Sequence, residues 1–562
     1  MKTNLLDPKD YIVFAVYFII VAAYGLYIYR KKKSATSDSK DYFLAEGSLT
    51  WWAIGASLIA SNISAEQFIG MSGNGFTMGL AIATYEWMAA ATLIVVAVFF
   101  IPVYLKNKIY TMPQFLHQRY NGTVAMIMAV FWLLLYVIVN LTSILFLGAL
   151  AISSISGISL TACMIFLAVF AVIITLGGMK VIGFTDVIQV FFLILGGLAT
   201  TYLALDLVAK HFGSAGAVEG FKYITQQADD HFHMILKKEN DHYISLPGLT
   251  VLFGGMWIVN LNYWGCNQYI TQRALGADLK TARRGILFAA FLKLLMPVIV
   301  VLPGIAAYVL FKNGYFQQEM MVNGELVQDK AYPVLLNLLP SGLKGLSFAA
   351  LTAAVVASLA GKANSIATIF TLDIYKKRIN PEADEKKQVW IGRAAIIISM
   401  LLAVLIAPFL GIDKKGGFEF IQEYTGFVSP GIFAMFILGF FWKKTTSNAA
   451  LFATVGGFAL SVFFKILPTF ANLQFLSPMG FSKQVLQKNG SLIYEIPFLD
   501  RMGFVFIFAV IGMYIISVLD NKRGIVPNGL EVDTKMFRTD SKFAVGALLI
   551  TGVIVALYTL YW

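Results

Sequence analysis

A chain of 562 residues with 58% apolar and only 13% charged residues is excluded from the ordinary soluble globular class, whose domains carry about 25% charged residues. The composition indicates an integral membrane protein. The net charge of +12 does not indicate a nucleic-acid partner, because the basic residues cluster in short loops between apolar runs.

Apolar runs of about 20 residues predict transmembrane helices, and there are about fourteen such runs. The predicted spans are 10–29, 53–74, 78–103, 122–152, 159–178, 184–209, 248–269, 283–311, 342–375, 389–410, 418–442, 446–467, 501–519 and 543–562. The predicted fold class is therefore an all-α polytopic membrane protein embedded in a lipid bilayer.

The basic clusters occupy alternate loops and therefore predict the orientation. They lie at 30–33, 106–119, 273–284, 376–387, 443–444 and 522–542. The positive-inside rule makes these loops cytoplasmic and places both termini outside, in a plasma (inner) membrane. The two cysteines, Cys163 and Cys266, both fall in predicted spans and imply no disulfide framework. The first apolar run has no cleavable-signal pattern and is expected to be a retained span.

The second span has an unusual centre, because two serines, an asparagine, a glutamate and a glutamine fall between Ser61 and Gln67. Such groups would be stranded in hydrocarbon unless they face protein, water or a ligand. One interpretation is a polar helix–helix contact or a pore lining. The other is a helix that unwinds inside the membrane, so that its carbonyls coordinate a cation and its side chains hold a polar solute.

Several single polar residues in the following spans are candidates for the same site. Glu86 lies in an apolar helix and needs a partner, a proton or a ligand. Tyr136 and Asn140 lie among aliphatic residues, where core packing is the alternative for the tyrosine. Asp186 opens the sixth span, where it is either functional or a helix cap. Lys293 is either part of the site or close enough to a helix end to reach water.

A second polar interruption, residues 257–273, follows five spans after the first. This spacing predicts an inverted repeat of two five-helix halves, with the solute bound at the two breaks. The expected organisation is a single transporter domain over 1–562. A peripheral first helix at 10–29 precedes repeats at 53–209 and 248–442, and three additional helices follow at 446–562.

The ninth predicted span carries Ser358 and Lys362, which are four residues apart and share a helix face. Lys362 would lie about 20 Å from the end of its helix, too deep to reach water easily. We therefore expect a buried counter-charge. The segment 418–426, which opens the eleventh span, mixes aromatic and amide side chains and is typical of an extracellular lid.

Five motifs together resemble the sodium/solute symporter family, and its sodium/glucose cotransporter branch in particular, over nearly the whole chain. They are Asn62–Gly73, Tyr85–Met88, Thr185–Phe192, Asn364–Ser365 with Phe370–Tyr375, and Ile421–Gly426. The resemblance implies two inverted five-helix repeats, alternating access and co-transport of a sugar with sodium ion.

The resemblance also implies roles for individual residues. The implied sugar-binding residues are Asn62, Gln67, Glu86, Asn260, Lys293 and Gln422, with Tyr263 under the ring. The implied outer gate consists of Met71, Tyr136 and Phe418. Sodium would be held by the carbonyls of Ala60, Ile63 and Ala354 and by hydroxyls at positions 357 and 358. Amides and a carboxylate suit sugar hydroxyls, and an aromatic face covers the apolar side of a pyranose.

The chain departs from the family pattern at the ion site. Ala357 stands where the family has a serine, so only the Ser358 hydroxyl remains, and Lys362 lies one turn further along the same face. Loss of an oxygen ligand weakens a site for a hard cation. One hypothesis is that the Lys362 ammonium occupies or opposes the sodium site, paired with Asp186, and makes sugar transport sodium-independent or differently coupled. The alternative is that Lys362 points into a water-filled exit path and sodium still binds.

Three other functions are weighed against a sodium-coupled sugar symporter. An anion symporter would need an arginine or a free helix N-terminus at the site, where Glu86 stands instead. An intramembrane enzyme would need a catalytic constellation, and the histidines lie in loops or near span ends. His231 and His233 are a possible metal pair, but a solvated loop is favoured. A sugar sensor stays open. Ala89 and Asn262 differ from the family's galactose carriers, so the preferred sugar stays open as well.

Overall fold

The structure, a computed structural model, describes residues 6–31, 50–109, 111–176, 179–322, 324–411, 416–487 and 490–562. Lys32 and Lys33 of the first basic cluster lie outside these ranges. Helices and short antiparallel strand pairs make up the described chain, which confirms the all-α prediction. The strands pair only within two hairpins, β1 (Met321–Val322) with β2 (Glu325–Leu326) and β3 (Lys483–Leu486) with β4 (Leu492–Glu495).

The described residues in the first half of the chain form eleven α-helices. They are α1 (Pro8–Lys31), α2 (Trp51–Asn62), α3 (Ser72–Met78), α4 (Thr84–Val95), α5 (Ile101–Lys106), α6 (Met112–Arg119), α7 (Gly122–Leu134), α8 (Thr142–Ser156), α9 (Leu160–Leu176), α10 (Met179–His211) and α11 (Ala217–Gln227). Wider π-helical turns join several of them, at Glu66–Met71, Val96–Phe100 and Leu135–Leu141, and a tight 3₁₀ turn spans Gly79–Ala83.

The described residues in the second half form thirteen further α-helices. They are α12 (Thr250–Phe253), α13 (Gly255–Gly265), α14 (Gln268–Leu275), α15 (Leu279–Lys312), α16 (Ala331–Leu336), α17 (Leu343–Thr368), α18 (Glu385–Ile406), α19 (Gly417–Thr425), α20 (Ser429–Phe441), α21 (Ser447–Leu451), α22 (Gly457–Ile466), α23 (Phe498–Lys522) and α24 (Ser541–Leu560). Further π-helical turns follow α17 at Ile369–Ile379 and α21 at Phe452–Gly456.

The membrane-span prediction corresponds to these helices. By length and composition, nine helical runs of the described chain can cross a membrane, or ten if the pair α19 and α20, bent by 50°, is one span. Each remaining predicted span coincides with a helix that is broken (53–74 and 248–269), short (159–178, with 17 residues in α9) or incompletely described (10–29). The molecule is a multi-pass membrane protein.

Local sequence signals begin several of these helices. Asp384 accepts a hydrogen bond from the amide of Lys387 (2.8 Å), and Asp540 accepts one from the amide of Phe543 (2.8 Å). Side-chain oxygens in this position satisfy amides that have no partner in the first helical turn. The buried Asp10 carboxylate of α1 does the same for another helix. It accepts hydrogen bonds from the amides of Gly342 (2.8 Å) and Gly345 (2.9 Å) at the start of α17.

The described residues divide into two compact units. Unit 1 comprises Met1–Ala83, Leu133–His233 and Phe291–Ile421, and unit 2 comprises Thr84–Trp132, Met234–Ala290 and Gln422–Trp562. Each unit draws on both predicted repeats, so the units cut across the repeat boundaries, which stay a prediction. In unit 1, α17 packs against α1, α2, α9 and α10. In unit 2, α13 packs against α4, α20 and α23.

Helix α1 packs one face on unit 1 and leaves the other exposed. Tyr17 is buried with Ala349 and Ala353 of α17, whereas Ile12 and Ile19 are exposed. This is the pattern of a first helix at the edge of a bundle that faces lipid on its outer side.

Candidate functional site

The second predicted span is broken, as the polar stretch indicates. Helix α2 ends at Asn62, and Ile63 has an extended backbone (φ −72°, ψ 115°). Helical structure resumes only at Glu66. Across the gap, the Gln67 side-chain oxygen Oε1 accepts hydrogen bonds from the backbone amide (3.0 Å) and the hydroxyl (3.3 Å) of Ser64. The break is therefore a defined turn closed by its own side chains.

This turn removes the amides that would occupy two carbonyls in a continuous helix. In an α-helix the amide of residue i+4 donates to the carbonyl of residue i. The Ser64 amide, which would reach the Ala60 carbonyl, donates to Gln67 Oε1. The Gln67 amide, which would reach the Ile63 carbonyl, donates to the Ser64 carbonyl instead (3.2 Å). The two carbonyls that the resemblance assigns to sodium thus lose their helical donors.

A buried hydroxyl in unit 1 has no hydrogen-bond partner in the described chain. Ser358 is 3% exposed in α17, and its hydroxyl makes no hydrogen bond to any part of the described chain. A buried hydroxyl left unsatisfied costs about 1–3 kcal/mol. Ala354 is buried one turn before Ser358, on the helix that packs against α2. The expected ligand atoms fit a hard cation, because all of them are oxygens and none is a soft ligand.

Lys362 lies one turn beyond Ser358 and is directed elsewhere. Its Nζ donates to Asn140 Oδ1 (3.1 Å) and lies 5.2 Å from the centre of the Tyr136 ring. The ammonium does not bond to the Ser358 hydroxyl, which has no partner in the described chain. That Lys362 opposes the sodium site electrostatically stays a hypothesis. With 6% exposure, Lys362 does not extend into water either, contrary to the alternative. The Asp186 side chain, the other expected partner, lies outside the described side chains.

Two of the three expected sugar-binding residues of unit 1, Gln67 and Lys293, are buried, and Asn62 is half-buried. Lys293 is 1% exposed and donates a hydrogen bond to Asn62 Oδ1, so the alternative in which it reaches water from a helix end is wrong. Gln67 is 4% exposed. Its carbonyl oxygen closes the break, which is a role that the sequence did not indicate.

The expected sugar-binding residues of unit 2 lie on three helices. Glu86 is 3% exposed in α4, and Asn260 is 5% exposed in α13, the helix that packs against α4. The Asn260 amide nitrogen donates to the Met256 carbonyl (3.2 Å). Tyr263 is half-buried in α13, and Gln422 is half-buried in α19.

The second interruption is only partly where it is predicted, because one irregular stretch lies within 257–273 and the other precedes it. Helix α13 is regular from Gly255 to Gly265, through Asn260 and Tyr263. The irregular residues are Gly254 (φ −123°, ψ −119°) before it and Cys266–Asn267 after it. Asparagine amides that bond within the helix, such as that of Asn260, leave the backbone ladder intact, so polarity alone does not break a helix.

All three expected gate residues are buried in unit 1: Met71, Tyr136 and Phe418. The π-helical turn that carries Met71 presses Gly70 against α19, because a Cβ added at Gly70 would lie 2.8 Å from the Phe418 Cβ. Asp329, which sequence reasoning missed, is fully buried, and its Oδ2 accepts from the Gly417 amide (2.8 Å) at the start of α19. An acidic residue in an apparent external loop carries no sequence signal for this contact.

The histidine pair also differs from expectation. His231 is 6% exposed, and its ring stacks on Tyr308 with centres 3.9 Å apart. Its Nε2 lies 3.1 Å from the Phe76 carbonyl at the end of α3. The solvated loop predicted around His231 is therefore wrong at this residue. No group of three or more metal-ligating side chains occurs within the described ranges.

A broken helix, carbonyls whose helical donors bond elsewhere and buried amide side chains define a class of protein, the polytopic α-helical membrane carrier. The family model "Sodium:solute symporter family" matches residues 42–457. The chain belongs to the sodium:solute symporter family, in which sodium is the co-transported ion.

Similar proteins extend over the whole chain. The chain is 46% identical over 564 residues to a sodium/glucose cotransporter of Vibrio parahaemolyticus, covering 98% of each protein. It is 33% identical to human sodium/myo-inositol cotransporter 2, covering 81% of this chain and 70% of the relative. A solved sodium-coupled sialic acid symporter, 21% identical, superimposes with a TM-score of 0.72 over 91% of this chain and 98% of that one, which shows a shared fold.

Proposed function

We propose that this chain is a secondary active transporter that imports a monosaccharide of the glucose or galactose type together with sodium, by alternating access. The similarity to a sodium/glucose cotransporter along 98% of both chains supports the class of solute. The observation that carries the ion coupling is the buried Ser358 hydroxyl, which has no hydrogen-bond partner in the described chain. Its helix packs against α2, where the Ala60 carbonyl has lost its helical amide donor.

Sodium would be bound by the carbonyls of Ala60, Ile63 and Ala354 and by the Ser358 hydroxyl. Ala357 supplies only a methyl group, so the side chains contribute one oxygen. Lys362 is engaged by Asn140, which leaves the Ser358 hydroxyl available to an ion. One sodium ion per sugar is sufficient: a single charge moving through 100 mV yields about 2.3 kcal/mol, or about fiftyfold sugar accumulation.

The sugar would be held by the side chains of Asn62, Gln67, Glu86, Asn260, Lys293 and Gln422, with Tyr263 under the ring. Gln67, Glu86, Asn260 and Lys293 are buried, and Asn62, Tyr263 and Gln422 are half-buried. A neutral polyol suits this set better than an anion, because Glu86 would repel a negative charge. We assign the outer gate to Met71, Tyr136 and Phe418, and coupling to Asp186 and Lys362. We propose no enzymatic step.

The test uses the purified full chain in liposomes with radiolabelled glucose and galactose. We expect sugar to accumulate when sodium is high outside and the interior is negative, and accumulation to collapse when choline replaces sodium. Ser358→Ala should lose sodium activation, whereas the matched control Ser399→Ala should keep it, because the Ser399 hydroxyl bonds within its own helix (3.0 Å to the Ile396 carbonyl). Equal sugar uptake with and without sodium would establish the alternative, a sodium-independent carrier.

We place the protein in the plasma (inner) membrane with both termini outside, as the basic loops indicate. Labelling of single cysteines introduced at the termini, with and without membrane-impermeant blocker added to intact cells, tests this orientation. Protection of both termini from the blocker would reverse it.

A further inference from the structure

The Lys362 ammonium, assigned above to coupling, lies in a buried cluster of unit 1 together with Tyr136 of the expected gate. Asn140 Oδ1 lies 3.1 Å from Nζ, and the Tyr136 ring centre lies 5.2 Å away. Lys362, Asn140 and Tyr136 are 6%, 7% and 1% exposed.

These two neighbours form a set that binds cations. An amide oxygen offers lone pairs, and an aromatic face attracts a positive charge through its quadrupole. Asn140 and Tyr136 both belong to the π-helical turn Leu135–Leu141, and Asn140 is 222 residues from Lys362 in the chain. The oxygens assigned to sodium are different ones.

We propose that Lys362 is a tethered cation, whose ammonium permanently occupies a cation site built by Asn140 and Tyr136. The positive charge at this site is therefore part of the protein itself, as the Lys362 ammonium, and it is not transported. This inference rests on the proposed function only for its transport readout. The site itself is defined by contacts in the folded chain.

The physical consequence concerns the neighbouring ion site. Nζ bonds to Asn140 and not to Ser358, so the fixed charge does not compete for the oxygens assigned to sodium.

The experiment compares four variants of the full-length protein. Lys362→Ala removes the ammonium and leaves space for it, Lys362→Met fills the space without charge, Lys362→Arg keeps a cation, and Asn140→Leu removes the oxygen partner. Ethylammonium chloride, which supplies the ammonium and two of the three carbons that Lys362→Ala lacks, is the probe. The readouts are sodium-driven sugar uptake in liposomes and the thermal unfolding midpoint in detergent, the latter measured without sodium or sugar.

We expect Lys362→Ala to lose about tenfold or more of the uptake, because it leaves buried partners of a charge uncompensated. Ethylammonium should restore at least part of this uptake and raise the unfolding midpoint of Lys362→Ala, with no effect on the unchanged protein or on Lys362→Met. Lys362→Arg should retain most of the uptake, and Asn140→Leu should lower both uptake and the unfolding midpoint.

The proposal is overturned if Lys362→Ala and Lys362→Met both transport as the unchanged protein does, or if ethylammonium affects neither uptake nor unfolding of Lys362→Ala. If Lys362→Ala does not fold, unchanged uptake and stability in Asn140→Leu overturn it. Failure of the proposed function is distinguishable, since the unchanged protein would then show no sodium-driven uptake while the unfolding measurement still reports on the ammonium site.

Discussion

The side-chain oxygen of Gln67 takes the place that a backbone carbonyl would hold in a continuous helix, accepting from the Ser64 amide at 3.0 Å. Because this bond satisfies a buried amide, the chain can leave the helix at Ile63 inside the membrane without stranding that donor. The carbonyl of Ala60 is then released from the helical ladder. A residue expected to bind sugar therefore also shapes the backbone of the expected ion site.

Substitution of Gln67 separates these two roles. Gln67→Leu removes the acceptor, leaves the Ser64 amide unsatisfied and should weaken sodium activation of uptake about tenfold, as the loss of about 1–3 kcal/mol implies. Gln67→Glu keeps an oxygen at the same place and should preserve the sodium dependence, while it loses the amide donor available to a sugar. The measurement is the sodium concentration at half-maximal uptake, and equal sodium dependence in both variants would contradict the shaping role.

The presence of a hydroxyl at Ser358 and its absence at Ala357 predict opposite effects of substitution on sodium affinity. Ser358→Ala removes the one side-chain oxygen assigned to sodium and should raise the half-maximal sodium concentration about tenfold or abolish activation. Ala357→Ser supplies the missing oxygen and should lower that concentration. Uptake measured over a sodium series at fixed potential tests both. A fall in half-maximal concentration for Ser358→Ala would show that this hydroxyl is not a ligand.

Gly70 lies so close to α19 that we expect this position to tolerate no side chain. A Cβ at Gly70 would lie 2.8 Å from the Phe418 Cβ and 2.9 Å from its backbone nitrogen, so Gly70→Ala must displace the lid segment. We expect sugar uptake to fall severalfold and the unfolding midpoint to drop, since overpacking costs about 1–3 kcal/mol. Gly122→Ala is the matched control, because no atom lies within 4 Å of its added Cβ. Equal behaviour of the two variants would exclude the contact.

The contact of Asp10 with the start of α17 predicts a stabilising role for α1. Asp10 is 1% exposed and accepts from the amides of Gly342 and Gly345. Asp10→Ala removes this cap and should destabilise the protein by about 1–2 kcal/mol, as the loss of an N-terminal cap does. Lys9→Ala, at an exposed neighbour, should change little. Thermal unfolding in detergent measures both, and an unchanged midpoint for Asp10→Ala would contradict the capping role.

The prediction from sequence was most successful where the signal is local. The polar run from Ser61 to Gln67 lies within one span, so its conflict with a lipid environment was visible without coordinates, and the break occurs at Ile63. The same reasoning was only partly accurate for residues 257–273. The backbone is irregular at Cys266–Asn267, inside this range, but Asn260 hydrogen-bonds without disturbing α13, and a second irregular residue, Gly254, lies outside the range.

Composition and motif content alone determined the membrane class, the helical fold and the family, because hydrophobic length and short-range residue patterns are properties of the chain itself. Only the tertiary structure decided the partners of Lys362, Lys293 and Asp10. Asn140 is 222 residues from Lys362, Asn62 is 231 from Lys293, and Gly342 is 332 from Asp10. A buried charge must find a partner to offset its desolvation, but helix packing selects that partner from distant segments.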